Sequence, residues 1–112
     1  MEKEEIKELT AAVYEVVALI PAGRATSYGA IARAIGRPDH SRLVGRIMGA
    51  CDSMLTGLPA HRVVNSSGEL SGRFAFDSPT RMQELLEAEG IPVRNHRIAG
   101  WKKIFWDPQE EL

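Results

Sequence analysis

The stretch Ser27-Tyr28-Gly29-Ala30-Ile31-Ala32-Arg33-Ala34-Ile35-Gly36-Arg37-Pro38-Asp39-His40-Ser41-Arg42-Leu43-Val44-Gly45 decides the fold. Ser27 can cap a helix over Tyr28 to Ile35, because a serine hydroxyl accepts a hydrogen bond from an amide of the first turn, and Gly36 closes that helix. Asp39 or Ser41 can cap a further helix running to about Ala50. Two short helices separated by Gly36-Arg37-Pro38-Asp39 predict a helix-turn-helix, although the pattern alone suits a plain helical hairpin in a bundle equally well.

Upstream, Ile6, Leu9, Val13, Val16, Val17 and Ile20 recur at helical spacing until Pro21 and Gly23 stop the run, which predicts an amphipathic helix over residues 3–19. Downstream, Arg62-Val63-Val64 and Leu70-Ser71 flank the turn-former Asn65-Ser66-Ser67-Gly68 and predict a small β wing. Ser78-Pro79 is a helix start, Leu85 and Leu86 give that helix its apolar side, and Gly90 with Pro92 end it. In the tail, Gly100 between short apolar runs predicts a weak hairpin that packs Trp101, Phe105 or Trp106 onto the rest. The expected class is α+β: a winged helix-turn-helix-like, mainly helical domain with small β-hairpins, spanning residues 1–112 as one unit.

Composition agrees. A chain of 112 residues, 44% hydrophobic and 26% charged, can bury one modest core. No run approaches the ~20 apolar residues of a membrane span, and the acidic start Met1-Glu2-Lys3-Glu4-Glu5 is unlike a secretory signal. Cys51, the single cysteine, has no internal disulfide partner. A monomeric cytoplasmic protein without membrane contact is the expectation. The net charge of −1 is unevenly spread. Residues 1–20 set five glutamates against Lys3 and Lys7. Residues 21–73 set seven arginines against Asp39, Asp52 and Glu69, and the remainder is again acidic. An all-arginine positive middle suits phosphates, which arginine grips in a bidentate, planar manner; a merely solvated basic face is the plain alternative.

Leu58-Pro59-Ala60-His61-Arg62-Val63-Val64 carries the chemistry. Its Pro-X-His-Arg-Val run resembles the active-site signature of the O6-alkylguanine-DNA alkyltransferases, in which X is the cysteine that accepts the alkyl group. Here X is Ala60, whose methyl group has no lone pair to form a covalent intermediate. Val13 to Val17 with Ile20 to Arg24, Thr26 to Ala32, Ser41 to Gly45, and Leu85 to Gly90 follow the family's order at similar spacing. The pattern is therefore similar to that of the alkyltransferase-like proteins. The match begins within the first helix, so no counterpart of the family's amino-terminal domain is expected.

The resemblance implies a set of roles. Arg42, on the recognition helix with Ser41 and Gly45, would fill the hole left in the base stack by a flipped nucleotide. Tyr28, with Gly29 beside it, would press on that nucleotide's phosphate. Ala60, His61, Arg62, Val63, Arg73 and Glu89 would form the lesion pocket. Within it, His61 and Glu89 would act as a hydrogen-bonded structural pair, Arg62 as a tie for the loop, and Arg73 as a cation stacking over the purine. Alkyltransferase-like proteins often carry tryptophan at the position of Ala60, so alanine is a departure that makes room for bulkier adducts. Cys51 stands where the family often has asparagine, and a small helix-end residue is a simpler reading of it than a replacement nucleophile.

The implied partner is double-stranded DNA containing O6-alkylguanine, with nucleotide excision repair proteins downstream. No cofactor is indicated, and His40, His61 and His96 lack metal-ligand spacing. Two alternatives stand beside this reading. One is an alkyltransferase, either an active enzyme, against which Ala60 argues, or one engineered inactive by replacement of its cysteine; the other is a winged-helix transcription regulator.

Overall fold

The computed structural model describes residues 1–111. Helix α1 (Lys3–Val17) lays Leu9, Val13, Val16 and Val17 into the core, and Ile20 continues that face past the helix end. It ends two residues before the expected stop: Ala18 serves as its C-cap, and Leu19 is exposed. Ser27 caps α2 (Tyr28–Ala34) as its sequence predicts, its Oγ accepting from the Ala30 amide at 3.1 Å. Gly36, at φ +77°, then turns the chain toward α3 (Ser41–Gly49). Neither Asp39 nor Ser41 caps α3. The Arg37 and His40 amides bond back to Ala32 and Arg37 at 2.8 and 3.0 Å. That tight turn makes Ser41 the first helical residue and His40 the cap, with no side-chain bond.

Helices α2 and α3 pack on α1 and complete the helix-turn-helix of an α+β fold. Val44, Ile47 and Met48 of α3 meet Val13, Val17 and Ile31 in one apolar cluster, which Trp106 closes from the tail. A second cluster gathers Leu70, Met82, Leu86, Ile91 and Ile98, with Phe76 packed against both.

The expected wing is not a hairpin. Strand β2 (Val63–Val64) pairs in parallel with β1 (Thr26–Ser27) instead of with the residues after the turn. Both valines are buried, and a short strand covered on both faces suits a parallel pairing inside the fold. Asn65 to Gly68 does turn, with Asn65 Oδ1 accepting from the Ser67 and Glu69 amides at 3.0 and 2.9 Å. The chain beyond it joins the tail: Glu69 bridges Arg97, and the Leu70 amide donates to the His96 carbonyl at 2.8 Å. Gly68 is demanded there twice over, by its φ of +82° and by the Trp101 ring, which a Cβ would meet at 3.0 Å.

After β2, α5 (Arg81–Ala88) begins two residues later than Ser78-Pro79 predicts, because a turn closed by the Arg81 amide on the Ser78 carbonyl precedes it. A four-residue α4 (Ser53–Thr56), capped by Asp52, lies between α3 and β2 and has no counterpart in the sequence reading. The tail does form a hairpin, β3 (Val93–Arg94) against β4 (Arg97–Ile98). Its turn is Asn95-His96, both at positive φ, and not Gly100, which instead leads into α6 (Trp101–Ile104). A last turn, α7 (Pro108–Glu111), packs against α2.

Candidate nucleic-acid interface

Two depressions share one wall. The smaller is a groove along the helix-turn-helix, lined by Tyr28, Gly29, Ser41, Arg42, Gly45, Asn65 and Ser66. All five residues singled out on α2 and α3 are thus together in one place. Gly45 faces open space: apart from its own helix backbone, nothing among the described residues lies within 4 Å of where a Cβ would stand. Arg42 is exposed and makes no ion pair among the described residues.

The larger depression is a cavity of about 740 Å³, within the size range of sites that hold small organic ligands. Ala60, His61 and Val63 line it, together with Met48, Cys51, Leu58, Phe76, Arg81, Met82 and Leu85. Ala60 opens a single 3-10 turn (Ala60–Arg62) and contributes to the cavity wall.

Tyr28 belongs to both depressions. Its hydroxyl lies against the chain at Ser71 and Gly72, where a Cβ on Gly72 would come within 2.8 Å of it. Burial pushes the phenol above its ordinary value, against the lowering pull of Ser71. It is therefore a neutral hydroxyl at neutral pH.

Behind the cavity wall Glu89 gathers four donors. Its carboxylate accepts from His61 Nε2 at 2.7 Å, from Arg62 Nη2 at 2.7 Å and Nε at 3.0 Å, and from the Gly23 amide at 3.0 Å. Burial alone would raise its pKa, but the Arg62 bonds, then His61 and Gly23, outweigh it and hold the group at about 2. His61 is shifted downward, burial outweighing the carboxylate. Glu89 is then ionised and His61 neutral at neutral pH, so Nε2 carries the imidazole proton and donates it to Glu89. Arg62 Nη1 adds a bond to the Ile20 carbonyl at 2.9 Å, tying the 3-10 turn to the end of α1. Neither Arg62 nor Glu89 lines the cavity; both stand one layer behind it.

Arg73 departs from its expected place. Its Nη1 donates to the Leu70 carbonyl at 3.0 Å, and its guanidinium lies 4.5 Å from the Phe74 ring centroid, so it stacks on its own neighbour at the rim. The basic middle thins in the same way. Arg24 is held by Glu111 and the Ile104 and Phe105 carbonyls, and Arg62 by Glu89. Arg33, Arg37, Arg42 and Arg46, all on or between α2 and α3, are the exposed arginines of residues 21–73 without an ion pair among the described residues.

Sequence reading missed Asn65 and Ser66 as part of the groove. Their one signal was the turn they form, which gives no hint of the face it borders. It also missed Leu85 and Arg81, which are separated from the motif by twenty residues and reach the cavity through the packing of α5 on the 3-10 turn.

A helix-turn-helix whose second helix lines a groove beside a cavity is the architecture of a DNA-binding domain. The chain belongs to the family of the 6-O-methylguanine DNA methyltransferase DNA-binding domain, which it matches over residues 8–91. It is similar to alkyltransferase-like protein 1 of Schizosaccharomyces pombe, 35% identical over 100 residues that cover 86% of this chain and 92% of that one. A DNA base-flipping protein of Escherichia coli is 38% identical over 107 residues, covering 96% of this chain and 79% of the relative. Among solved structures, the S. pombe protein in complex with damaged DNA containing O6-carboxymethylguanine superposes with a TM-score of 0.81 at 32% identity, covering 95% of this chain and 98% of that one.

Proposed function

We propose that this protein binds duplex DNA, turns an O6-alkylguanine out of the stack into the cavity above Ala60, and holds it there without taking the alkyl group. The observation that carries the reading is the methyl group of Ala60 on the wall of a 740 Å³ cavity whose supporting His61–Glu89 pair is intact. Extruding a base costs a few kcal/mol. In this reading Arg42, which lines the adjoining groove and makes no ion pair among the described residues, fills the gap, and Tyr28, shared by groove and cavity, guides the nucleotide across. The names of the S. pombe and E. coli relatives support this reading, as does the damaged DNA bound to the former.

The described residues include no helix long and apolar enough to cross a membrane. A monomer working in the cytoplasm as one DNA-binding domain, and handing the held lesion to nucleotide excision repair, completes the proposal. One observation favours a second reading, alkyl transfer to another nucleophile: Cys51 lines the same cavity. Its neighbours include two hydroxyls, Thr56 Oγ1 at 3.6 Å and the Tyr14 phenol. Incubation with DNA carrying a labelled O6-methyl group separates the two. The proposal expects unlabelled protein and intact lesion; stoichiometric labelling of Cys51 would establish the enzyme.

A further inference from the structure

The tail carries a charge pattern that the helix-turn-helix does not account for. Residues 91–106 hold Arg94, Arg97, Lys102 and Lys103 and no aspartate or glutamate, a basic run inside the otherwise acidic last third of the chain. All four side chains are exposed, and none makes an ion pair among the described residues. Arg94 and Arg97 are register partners across β3 and β4. Val93 and Ile98 beside them are buried, so the alternation of a strand puts both guanidinium groups on the outer face of the hairpin. Directly opposed side chains start about 5 Å apart, and like charges so placed repel. An anion between them would relieve that repulsion.

The hairpin stands at the edge of the groove. Strand β4 runs beside the chain that leaves the turn Asn65 to Gly68: Glu69 bridges Arg97, and the Ile98 amide donates to the Gly68 carbonyl at 2.9 Å. Trp101 ties the same turn to α6, its Nε1 donating to the Ser66 carbonyl at 3.1 Å. Asn65 and Ser66 themselves line the groove. Glu69, the acid beside Arg97 in this ladder, accepts from Asn65 Nδ2 at 3.0 Å and makes no ion pair with Arg97. Neighbouring strands lie about 5 Å apart. Arg97 and Arg94 are thus one and two strands out from the groove wall.

We infer that Arg94 and Arg97 form a second DNA contact, gripping backbone phosphate of the duplex beside the segment held by the helix-turn-helix. The inference rests on the reading that duplex DNA lies in the groove of α2 and α3, and it adds a clamp outside that groove. Phosphate is the anion that bound DNA brings to the groove edge, and guanidinium groups meet it with planar, bidentate donors. A phosphate contact carries no information about the base, so it strengthens the hold on plain and damaged DNA alike.

The test uses the whole protein, two duplexes that differ only in carrying guanine or O6-methylguanine at one position, and a range of salt. Each phosphate contact contributes about 0.9 to the slope of log affinity against log salt, so R94Q/R97Q should lower that slope by about 1.8 on both duplexes. Raising the salt from about 50 to about 200 mM should then cost the wild-type protein roughly tenfold more affinity than it costs the variant. R94K/R97K should keep most of the slope. K3Q/K7Q, which removes two exposed charges from α1, should keep all of it. The preference for the lesion duplex should be the same in all these proteins. An unchanged slope in R94Q/R97Q, an equal drop in K3Q/K7Q, or a loss confined to the lesion duplex would overturn the inference; the first of these would assign the pair to a partner other than DNA. A wild-type protein with no preference for the lesion duplex would overturn the lesion-binding reading, while the slopes still decide the clamp.

Discussion

Replacing Glu89 by glutamine should remove about 3 kcal/mol of stability, and two independent routes give that figure. The first is proton linkage. The carboxyl is held at about 2 in the folded protein against 4.5 in an unperturbed chain, and that gap converts to roughly 3 kcal/mol at 1.36 kcal/mol per unit. The second is geometric. Removing one partner of a buried ion pair costs about 3–5 kcal/mol, and Arg62 and Glu89 are 18% and 16% exposed, which sets the low end of that range. A glutamine amide would also point its own donors at the Arg62 and His61 donors. Urea unfolding at pH 7 should show the loss, and the midpoint of thermal unfolding should fall by roughly 10 °C for a chain of this size.

The pH dependence gives a sharper signature. A carboxyl depressed on folding contributes stability that is complete above pH 4.5 and disappears as the pH falls toward 2, so the wild-type protein should lose stability across that window. The lowered His61 acts in the same sense from a higher start: the unfolded chain takes up its proton first, so its contribution is complete above pH 6.5 and begins to fall below it. Glu89→Gln should lack the limb between 4.5 and 2. A destabilisation below 1 kcal/mol at pH 7, or an acid limb unchanged by the substitution, would refute the account of Glu89 as the anchor of the 3-10 turn.

The other expectations concern binding. Arg42→Ala should weaken lesion binding roughly a hundredfold, because a hole in the stack worth a few kcal/mol goes unfilled. Arg33→Ala or Arg37→Ala should weaken lesion and plain DNA alike by a few fold and lower the salt slope by about 0.9; equal behaviour of all three in a salt-resolved titration would reduce Arg42 to a phosphate contact. Ala60→Trp puts an indole where a methyl group now lines the cavity, so it should cost a bulky O6-alkyl lesion at least tenfold more affinity than O6-methylguanine. A parallel loss for both in competition binding would show that residue 60 does not set adduct size.

Much of this architecture is legible in the sequence because the deciding signals are local. Ser27 and Gly36 punctuate α2, the period of Leu9, Val13, Val16 and Val17 marks α1, and Pro-Ala-His-Arg-Val marks the cavity wall. What was illegible depends on partners distant in the chain. Val63-Val64 is β-prone either way, and nothing within it says that its partner is Thr26-Ser27 in parallel and not Leu70-Ser71 across a turn. Asn95-His96 makes the tail turn in the left-handed region, which glycine enters far more readily, so Gly100 gives the stronger local signal without being the turn. Arg73 and Arg81 show the same dependence on packing partners. Motif position favours the first, but the Leu70 carbonyl and Phe74 draw it to the rim, while the packing of α5 brings the second to the cavity.

The central claim is tested most directly by one titration: the protein against a duplex carrying a single O6-methylguanine and against the same duplex carrying guanine, with the lesion analysed afterwards. The account predicts tighter binding to the lesion duplex by tenfold or more, with O6-methylguanine recovered unaltered. Equal affinity for the two duplexes would contradict it.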